Sequence, residues 1–291
     1  MPLGRLTRYL WTKSPRDYWN RLAAAPHDDY KPWESGKHRQ WNRLPYYLQL
    51  FDRCAAQTGH PFKLTGARLL EIGAGPVLGL IPFALVDGAA DCAIVEPDFR
   101  EIRDRKDFQD NYLFPLHATH RTLVAGPAPD YGTFLERVRR TKVETATMER
   151  IRHTDAPYDL VLSKSVFEHV ADVASAAKAS HALSGPGSLH LHYIDFTMHY
   201  DRDRLPGNPF GRTFERAKSA NPEYLKNPGG IVNLLRPSEM IAAFRACFQE
   251  VHFLPILDMA GRIDVTSRHA DWHRYAESDL TIANGVLVAM R

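Results

Sequence analysis

From residue 67 onward the chain alternates short, continuously apolar runs with longer stretches of helical period. Ala67–Ile72, Ala93–Val95, Val143–Thr147, Asp159–Ser163 and Ser188–Asp195 are the first five strands in this pattern. Runs with little polar alternation suit strands covered on both faces, as in a mostly parallel sheet wrapped by helices. Between the fourth and fifth strands, Asp172–Leu183 reads as a helix that an aspartate starts and the Gly185-Pro186-Gly187 turn stops. Pro237 opens another helix through Phe248, and Val251–Leu257 and Thr281–Met290 supply two final strands.

Two stretches interrupt the rhythm. Residues 98–142 exceed an ordinary crossover, and residues 200–233 hold four prolines and four glycines where a simple connection would suffice. Such insertions are expected to form lids or substrate walls. Residues 1–60 read as helical pieces between polar breaks and hold four of the five tryptophans, Trp11, Trp19, Trp33 and Trp41. The organisation expected is therefore a helical N-terminal extension or cap over 1–60 and one domain over 61–291. For the aromatic extension three roles stand: packing against the core, capping a pocket, or peripheral contact with a membrane surface.

Composition narrows the class. A chain of 291 residues with 44% hydrophobic content supports one large core. Cys54, Cys92 and Cys247 show no metal-type or paired spacing, and their odd number argues against a disulfide framework, so the cytoplasm is the expected compartment. The longest apolar run, Val77–Val86, is broken by Gly79 and Pro82, short of the about 18 residues that a membrane span requires, and a signal peptide's continuous apolar stretch is missing at the N-terminus. A soluble protein is expected. The net charge of +3 is small, yet residues 1–43 carry nine Lys/Arg against four acids, so the basic character sits at the front.

Chemistry enters at the end of the first strand, where Gly73, Gly75 and Gly79 let the backbone turn sharply and approach a ligand. A dinucleotide fingerprint would require glycine at 78, where Leu78 stands. Glu71, just before the loop, and Glu96, at the end of the second strand, favour a cationic ligand with a free ribose diol.

The ordered series Glu71-Ile72-Gly73-Ala74-Gly75-Pro76, Val95-Glu96-Pro97-Asp98, Tyr158–Ser163 and Val166-Phe167-Glu168-His169-Val170 resembles the motifs of class I S-adenosylmethionine-dependent methyltransferases over roughly residues 65–195. The resemblance implies an α/β, Rossmann-like fold: a mostly parallel seven-stranded sheet with helices on both faces, plus the N-terminal extension and lid insertions. It implies S-adenosylmethionine as cofactor, with Gly73 and Gly75 passing under its methionine part and Glu96 accepting both ribose hydroxyls. Glu71 would anchor the loop or the methionine amine. Met148 and Glu149 fall where that family contacts adenine, and Ser163 and Lys164 beside the amino-acid part.

Methyl transfer from a sulfonium is an in-line displacement, so the protein mainly aligns the partners and excludes water. An alcohol nucleophile gains from a base, and the cluster His190-Leu191-His192-Tyr193-Ile194-Asp195-Phe196-Thr197-Met198-His199 supplies candidates. His199 is the expected base and Asp195 its orienting acid; the alternative is that these histidines bond buried backbone. His169 is either a structural residue at a helix start or a pocket-wall residue. A subset of quinone-pathway O-methyltransferases that this chain resembles holds a metal with two acids and the adjacent histidine. Ser165 stands in place of the first acid here, so no metal is expected. Arg236 suits either an acceptor carboxylate or phosphate or a surface salt bridge.

The expected activity is O-methylation of a small-molecule or glycan-type acceptor. The rivals are N- or C-methylation, a non-catalytic cofactor-binding partner in a biosynthetic assembly, and a nicotinamide enzyme, which Leu78 disfavours. Nucleic acid is not an expected substrate: basic residues are few, and Ser163-Lys164-Ser165-Val166 stands where DNA adenine methyltransferases carry Asn/Asp-Pro-Pro-aromatic.

Overall fold

The computed structural model describes residues 44–123, 127–151, 157–197, 208–219 and 232–291. Its strands are β1 (Arg68–Ile72), β2 (Asp91–Val95), β3 (Lys142–Glu144), β4 (Tyr158–Lys164), β5 (Ser184–Asp195), β6 (Glu250–Asp258) and β7 (Ile282–Met290). They form one sheet in the order β3-β2-β1-β4-β5-β7-β6. All neighbours run parallel except β7, which is antiparallel to both β5 and β6.

The strand pattern of the sequence is realised with two local differences. β3 is only three residues long, because it is an edge strand whose pairing with β2 ends at Val95 and Glu144. Gly185-Pro186-Gly187, expected as a turn, lies inside β5. A register shift between Tyr158 and Leu160 absorbs the extra residues, and Gly187 N–H donates to the Arg291 carbonyl at 2.9 Å.

Alternate residues of β1 face opposite layers, as a strand's period of two requires. Leu69 joins the apolar cluster beneath α1 (Leu44–Thr58), α2 (Ile81–Val86), α3 (Phe114–His120) and α4 (Tyr131–Arg140). Leu70 and Ile72 join the cluster under α5 (Val173–Ala182) and α7 (Pro237–Arg245). Helix α1 contributes Leu50, Phe51 and Cys54 to the first cluster, so it is part of the same core.

The described part of residues 98–142 joins the core on one face of the sheet. Its apolar side chains, Phe108, Tyr112, Leu113, Leu116, Phe134 and Val138, pack into the cluster shared with α2. The extra length makes a second helical layer on that face. His120, 2% exposed, is buried in this layer with Nε2 3.1 Å from Asp87 Oδ1, just past the C-terminus of α2. Residues 1–43 and most of the 200–233 stretch lie outside the described residues.

A third, smaller cluster gathers Phe210, Val265, Trp272, Tyr275 and Leu280 around α6 (Phe214–Ser219) and α8 (Glu277–Leu280). It stands at the end of the sheet where β5 stops and β7 begins. Among the described residues no helix is long and apolar enough to cross a membrane.

Candidate functional site

The strand order reverses between β1, which pairs with β2, and β4, which leads on to β5. In open α/β sheets, ligands bind in the crevice outside the strand C-termini at such a switch point. The sequence-predicted residues at the ends of β1, β2, β4 and β5 converge there.

The turn after β1 is built by positive φ angles at Gly73 (+73°), Gly75 (+67°), Leu78 (+68°) and Gly79 (+52°). The glycines are required for different reasons. A Cβ on Gly73 would overlap Val166 Cγ2, and one on Gly79 would overlap the Glu71 carboxylate, whereas a Cβ on Gly75 would meet nothing within 4 Å. Gly73 and Gly79 thus let the protein close on itself, and Gly75 leaves a bare backbone facing open space. Leu78, which breaks the dinucleotide spacing, takes the left-handed conformation with its side chain fully buried.

Glu96, 8% exposed, terminates β2. Its Oε2 accepts the Gly75 N–H at 2.7 Å and its Oε1 accepts the Asp98 N–H at 3.1 Å. Each oxygen keeps a second lone pair. Burial pushes its carboxyl above the usual range against these two hydrogen bonds. Glu71 is buried on the neighbouring strand, where Oε2 accepts the Leu80 N–H at 2.6 Å and so pins the far side of the turn. Burial, only partly offset by the Leu80 and Ile81 amides, pushes Glu71 up to about 8; the Glu96 charge adds to the rise and the Lys164 cation opposes it. Glu71, Glu96, Lys164 and the Gly75 amide therefore form one electrostatically linked group.

Ser163, by contrast, turns its hydroxyl into the sheet, 2.8 Å from His192 Nδ1 on the paired residue of β5. Beyond β4 the chain bends through Ser165 (φ +53°) into a single helical turn, Phe167–His169. Glu168 points inward and is 2% exposed, while His169 is exposed. Burial holds the Glu168 carboxyl well above its ordinary range, although the amides of Glu168 and Asp195 and the Ser165 hydroxyl oppose the rise. Asn233 clamps this turn: its Nδ2 donates to the Phe167 and Val170 carbonyls at 2.7 and 2.9 Å, and its N–H to the Glu168 carbonyl at 2.8 Å. The sequence held no local signal for Asn233, since its partners lie over sixty positions away.

The histidine cluster divides. His190 is fully buried between Ser180 Oγ, 3.0 Å from Nδ1, and Ser184 Oγ, 2.8 Å from Nε2. His192 packs against Phe167 and Phe244 with ring centroids 4.6 and 5.1 Å away. Burial lowers both, His192 to about 3, so each is a neutral core side chain. Asp195 stands at the β5 terminus, where Oδ1 receives the Thr197 N–H (2.8 Å), the Thr197 hydroxyl (2.6 Å) and Asn284 Nδ2 (3.1 Å). His199 lies outside the described residues. Asn284, opposite Asp195 in the β5–β7 register, was invisible in the sequence because antiparallel registers are not locally encoded.

Met148 is 4% exposed and packs with Val95 and Tyr158 in the layer under α5, while the Glu149 side chain lies outside the described residues. Arg236 is neither a surface ion pair nor an anion receptor: it is 1% exposed, and its guanidinium donates to the carbonyls of Phe196, Asp279, Leu280 and Ile282. Burial lowers it to about 10, with Asp279 the chief opposing charge. Among the described residues no cluster of three or more His, Cys, Asp or Glu side chains could hold a metal ion.

Comparison with known proteins accords with this arrangement. The family model described as a methyltransferase domain matches residues 38–247. No curated protein matches the sequence. Among solved structures, an S-adenosylmethionine-dependent methyltransferase from Mesorhizobium loti is similar at 16% identity, covering 82% of this chain and 96% of its own, with a TM-score of 0.46. The YcgJ protein from Bacillus subtilis is similar at 14% identity, covering 78% of this chain and 92% of its own, with a TM-score of 0.41. With the matched region spanning the glycine turn, both acids, β4, β5 and the Asn233 clamp, the chain belongs to the methyltransferase-domain family and is a class I enzyme that uses S-adenosylmethionine.

Proposed function

We propose that this methyltransferase O-methylates a hydroxyl of a small-molecule or glycan-type acceptor, with His199 as general base and Asp195 as the acid that orients it. The observation that carries the reading is Asp195 itself. Three donors converge on one of its oxygens at the terminus of β5, four residues before His199, on the edge of the sheet where Glu96 and the glycine turn also end.

The residues fit the cofactor. Open space over Gly75 admits an extended chain against bare backbone, and Glu96 beside it has lone pairs for two ribose hydroxyls. Glu71 holds the turn from beneath through Leu80, and Lys164 contributes its charge at the end of β4. When bound, S-adenosylmethionine supplies a methyl group on a cationic sulfur. The protein's own tasks are to align the acceptor oxygen, exclude water and take up the hydroxyl proton. An Asp195 carboxylate fixed by Thr197 and Asn284 would orient His199 and stabilise its protonated form.

The test is turnover of His199→Ala and His199→Gln on hydroxylated acceptors, with S-adenosylhomocysteine affinity measured in parallel. Turnover is expected to fall about 10²–10⁴-fold, with affinity unchanged. A loss of less than about threefold, against that scale, would remove the base from the mechanism and favour a nitrogen or carbon acceptor.

A further inference from the structure

Among the described residues three acids are buried, Glu71, Glu96 and Glu168, and all lie around the C-terminal ends of the strands that meet at the switch point, β1, β2 and β4. The first two hold the glycine turn through the Leu80 and Gly75 amides. Glu168 stands on a different element, the turn Phe167–His169, and its burial needs a reason of its own, because taking a carboxyl out of water is costly.

The backbone of β5 supplies that reason. Phe196 N–H donates to the Ala283 carbonyl at 2.8 Å, so at this end of β5 the even-numbered residues turn their amides toward β7. The odd-numbered residues, Tyr193 and Asp195, face β4, as the alternation along a paired strand requires. Tyr193 finds a partner there, since its carbonyl accepts the Ser165 N–H at 2.8 Å. One step further the ladder fails. Its last pair is Lys164 with Tyr193, and at Ser165 the chain takes φ +53° and bends out of the strand. The Asp195 amide thus faces a place that β4 has left. The Glu168 carboxyl fills it, with the Asp195 N–H and the Ser165 hydroxyl as hydrogen-bonding neighbours. Burial favours its neutral form, which still accepts an amide through the carbonyl oxygen. Asn233 in turn holds the turn that carries it. Thr197 and Asn284 set the rotation of the Asp195 carboxylate, whereas Glu168 sets where its backbone stands.

We infer that Glu168 is a positioning residue of the methyl transfer: its side chain closes the β4–β5 ladder and so fixes Asp195 relative to the acceptor. The inference rests on the reading of Asp195 given above and extends it to a second acid that acts through the first.

The test uses the full-length protein saturated with S-adenosylhomocysteine, with Glu168→Gln keeping an acceptor and Glu168→Met keeping only the volume. The Asp195 amide proton signal should move upfield in Glu168→Met and stay near its wild-type position in Glu168→Gln, at equal S-adenosylhomocysteine affinity in all three proteins. Turnover with catechol or methyl β-glucoside as the acceptor probe should fall about 10- to 100-fold in Glu168→Met, in kcat rather than in the KM for S-adenosylmethionine, and Glu168→Gln should return most of it. In an Asp195→Asn background Glu168→Met should cost little more, because the two residues act as a unit. An unmoved Asp195 amide, a Glu168→Gln as impaired as Glu168→Met, or losses that simply add to those of Asp195→Asn would each overturn the inference. Should Glu168→Met fail to fold, the wild type decides: its Asp195 amide should resist deuterium exchange as the amides within β5 do, and rapid exchange overturns the inference. If the His199 substitutions leave turnover intact while Glu168→Met still lowers it, the base reading fails and the positioning role stands.

Discussion

The amide of Gly75 donates to Glu96 Oε2 at 2.7 Å, joining the turn after β1 to the end of β2. This bond sets the shape of the turn before any ligand arrives, and it places an ionisable acid against the barest stretch of backbone in the site. Glu96→Ala should weaken S-adenosylhomocysteine binding by roughly 10- to 100-fold per lost charged hydrogen bond, and Glu96→Gln, which keeps one acceptor, by less. Because burial raises this carboxyl and the ionised form is the acceptor, affinity in the wild type should rise as pH climbs through its pKa. Calorimetric titration across pH reads both effects; equal affinity in Glu96→Ala would release this acid from the site.

Gly73 and Gly75 share a left-handed backbone but face different surroundings, which separates stability from binding. Gly73→Ala collides with Val166 and should unfold at clearly lower denaturant, and adding Val166→Ala should restore part of the loss. Gly75→Ala has room and carries only the cost of the backbone conformation, about 1–2 kcal/mol. Its binding of S-adenosylhomocysteine should nevertheless collapse, since the methyl group occupies the open face. Urea unfolding and calorimetry on the same three proteins check the contrast.

Stability should pass through a maximum between acid and alkali. Glu71, raised to about 8 from an ordinary 4.5, binds its proton more tightly when folded. Its contribution is full below pH 4.5 and is lost as pH rises through 8. His192, lowered to about 3 from 6.5, acts in the opposite sense: its contribution is full above 6.5 and fades as pH falls toward 3. The two effects offset each other between pH 4.5 and 6.5, so chemical denaturation from about pH 3 upward should show the acid limb below 4.5 and the alkaline limb above 6.5, and Glu71→Gln should flatten the alkaline one. An unchanged alkaline limb in that variant would assign it to another group.

Asn233 is expected to act on the turn Phe167–His169 alone. Asn233→Ala leaves two buried-side carbonyls without their donor, at a cost of about 1–3 kcal/mol each. Thermal unfolding should show the loss. Turnover should fall more than S-adenosylhomocysteine affinity, because the Glu96 side of the site is untouched.

Arg236→Met should be among the most destabilising single changes, since four carbonyls lose their donors at about 1–3 kcal/mol apiece if left unpaired. Arg236→Lys should fall between, as an ammonium cannot span the carbonyls that a planar guanidinium reaches. Guanidinium denaturation distinguishes the three.

The sheet and the glycine turn after its first strand were largely legible in the sequence. Apolar runs marked each strand, and the glycines marked the turn after β1 that Glu71 and Glu96 hold, because strand period, turn stereochemistry and motif spacing are carried by contiguous residues. The acceptor side was less legible. That the apolar side chains of residues 98–142 pack into the core was not readable from the sequence, since an apolar face can cover either a core or a ligand and only its packing partner tells which.

By itself, the sequence determined the alternation of strands and helices and a glycine-rich backbone turn after the first strand. Tertiary structure alone decided what the polar side chains do. His190 and His192 became core residues because the helices that cover β5 turn that face away from water, and Arg236 became an internal clasp because the ends of β5 and β7 meet around it. Asp195 acquired its orientation from Asn284, a residue 89 positions away. A side chain's type is written locally, but its protonation and its partner depend on which distant surface is pressed against it.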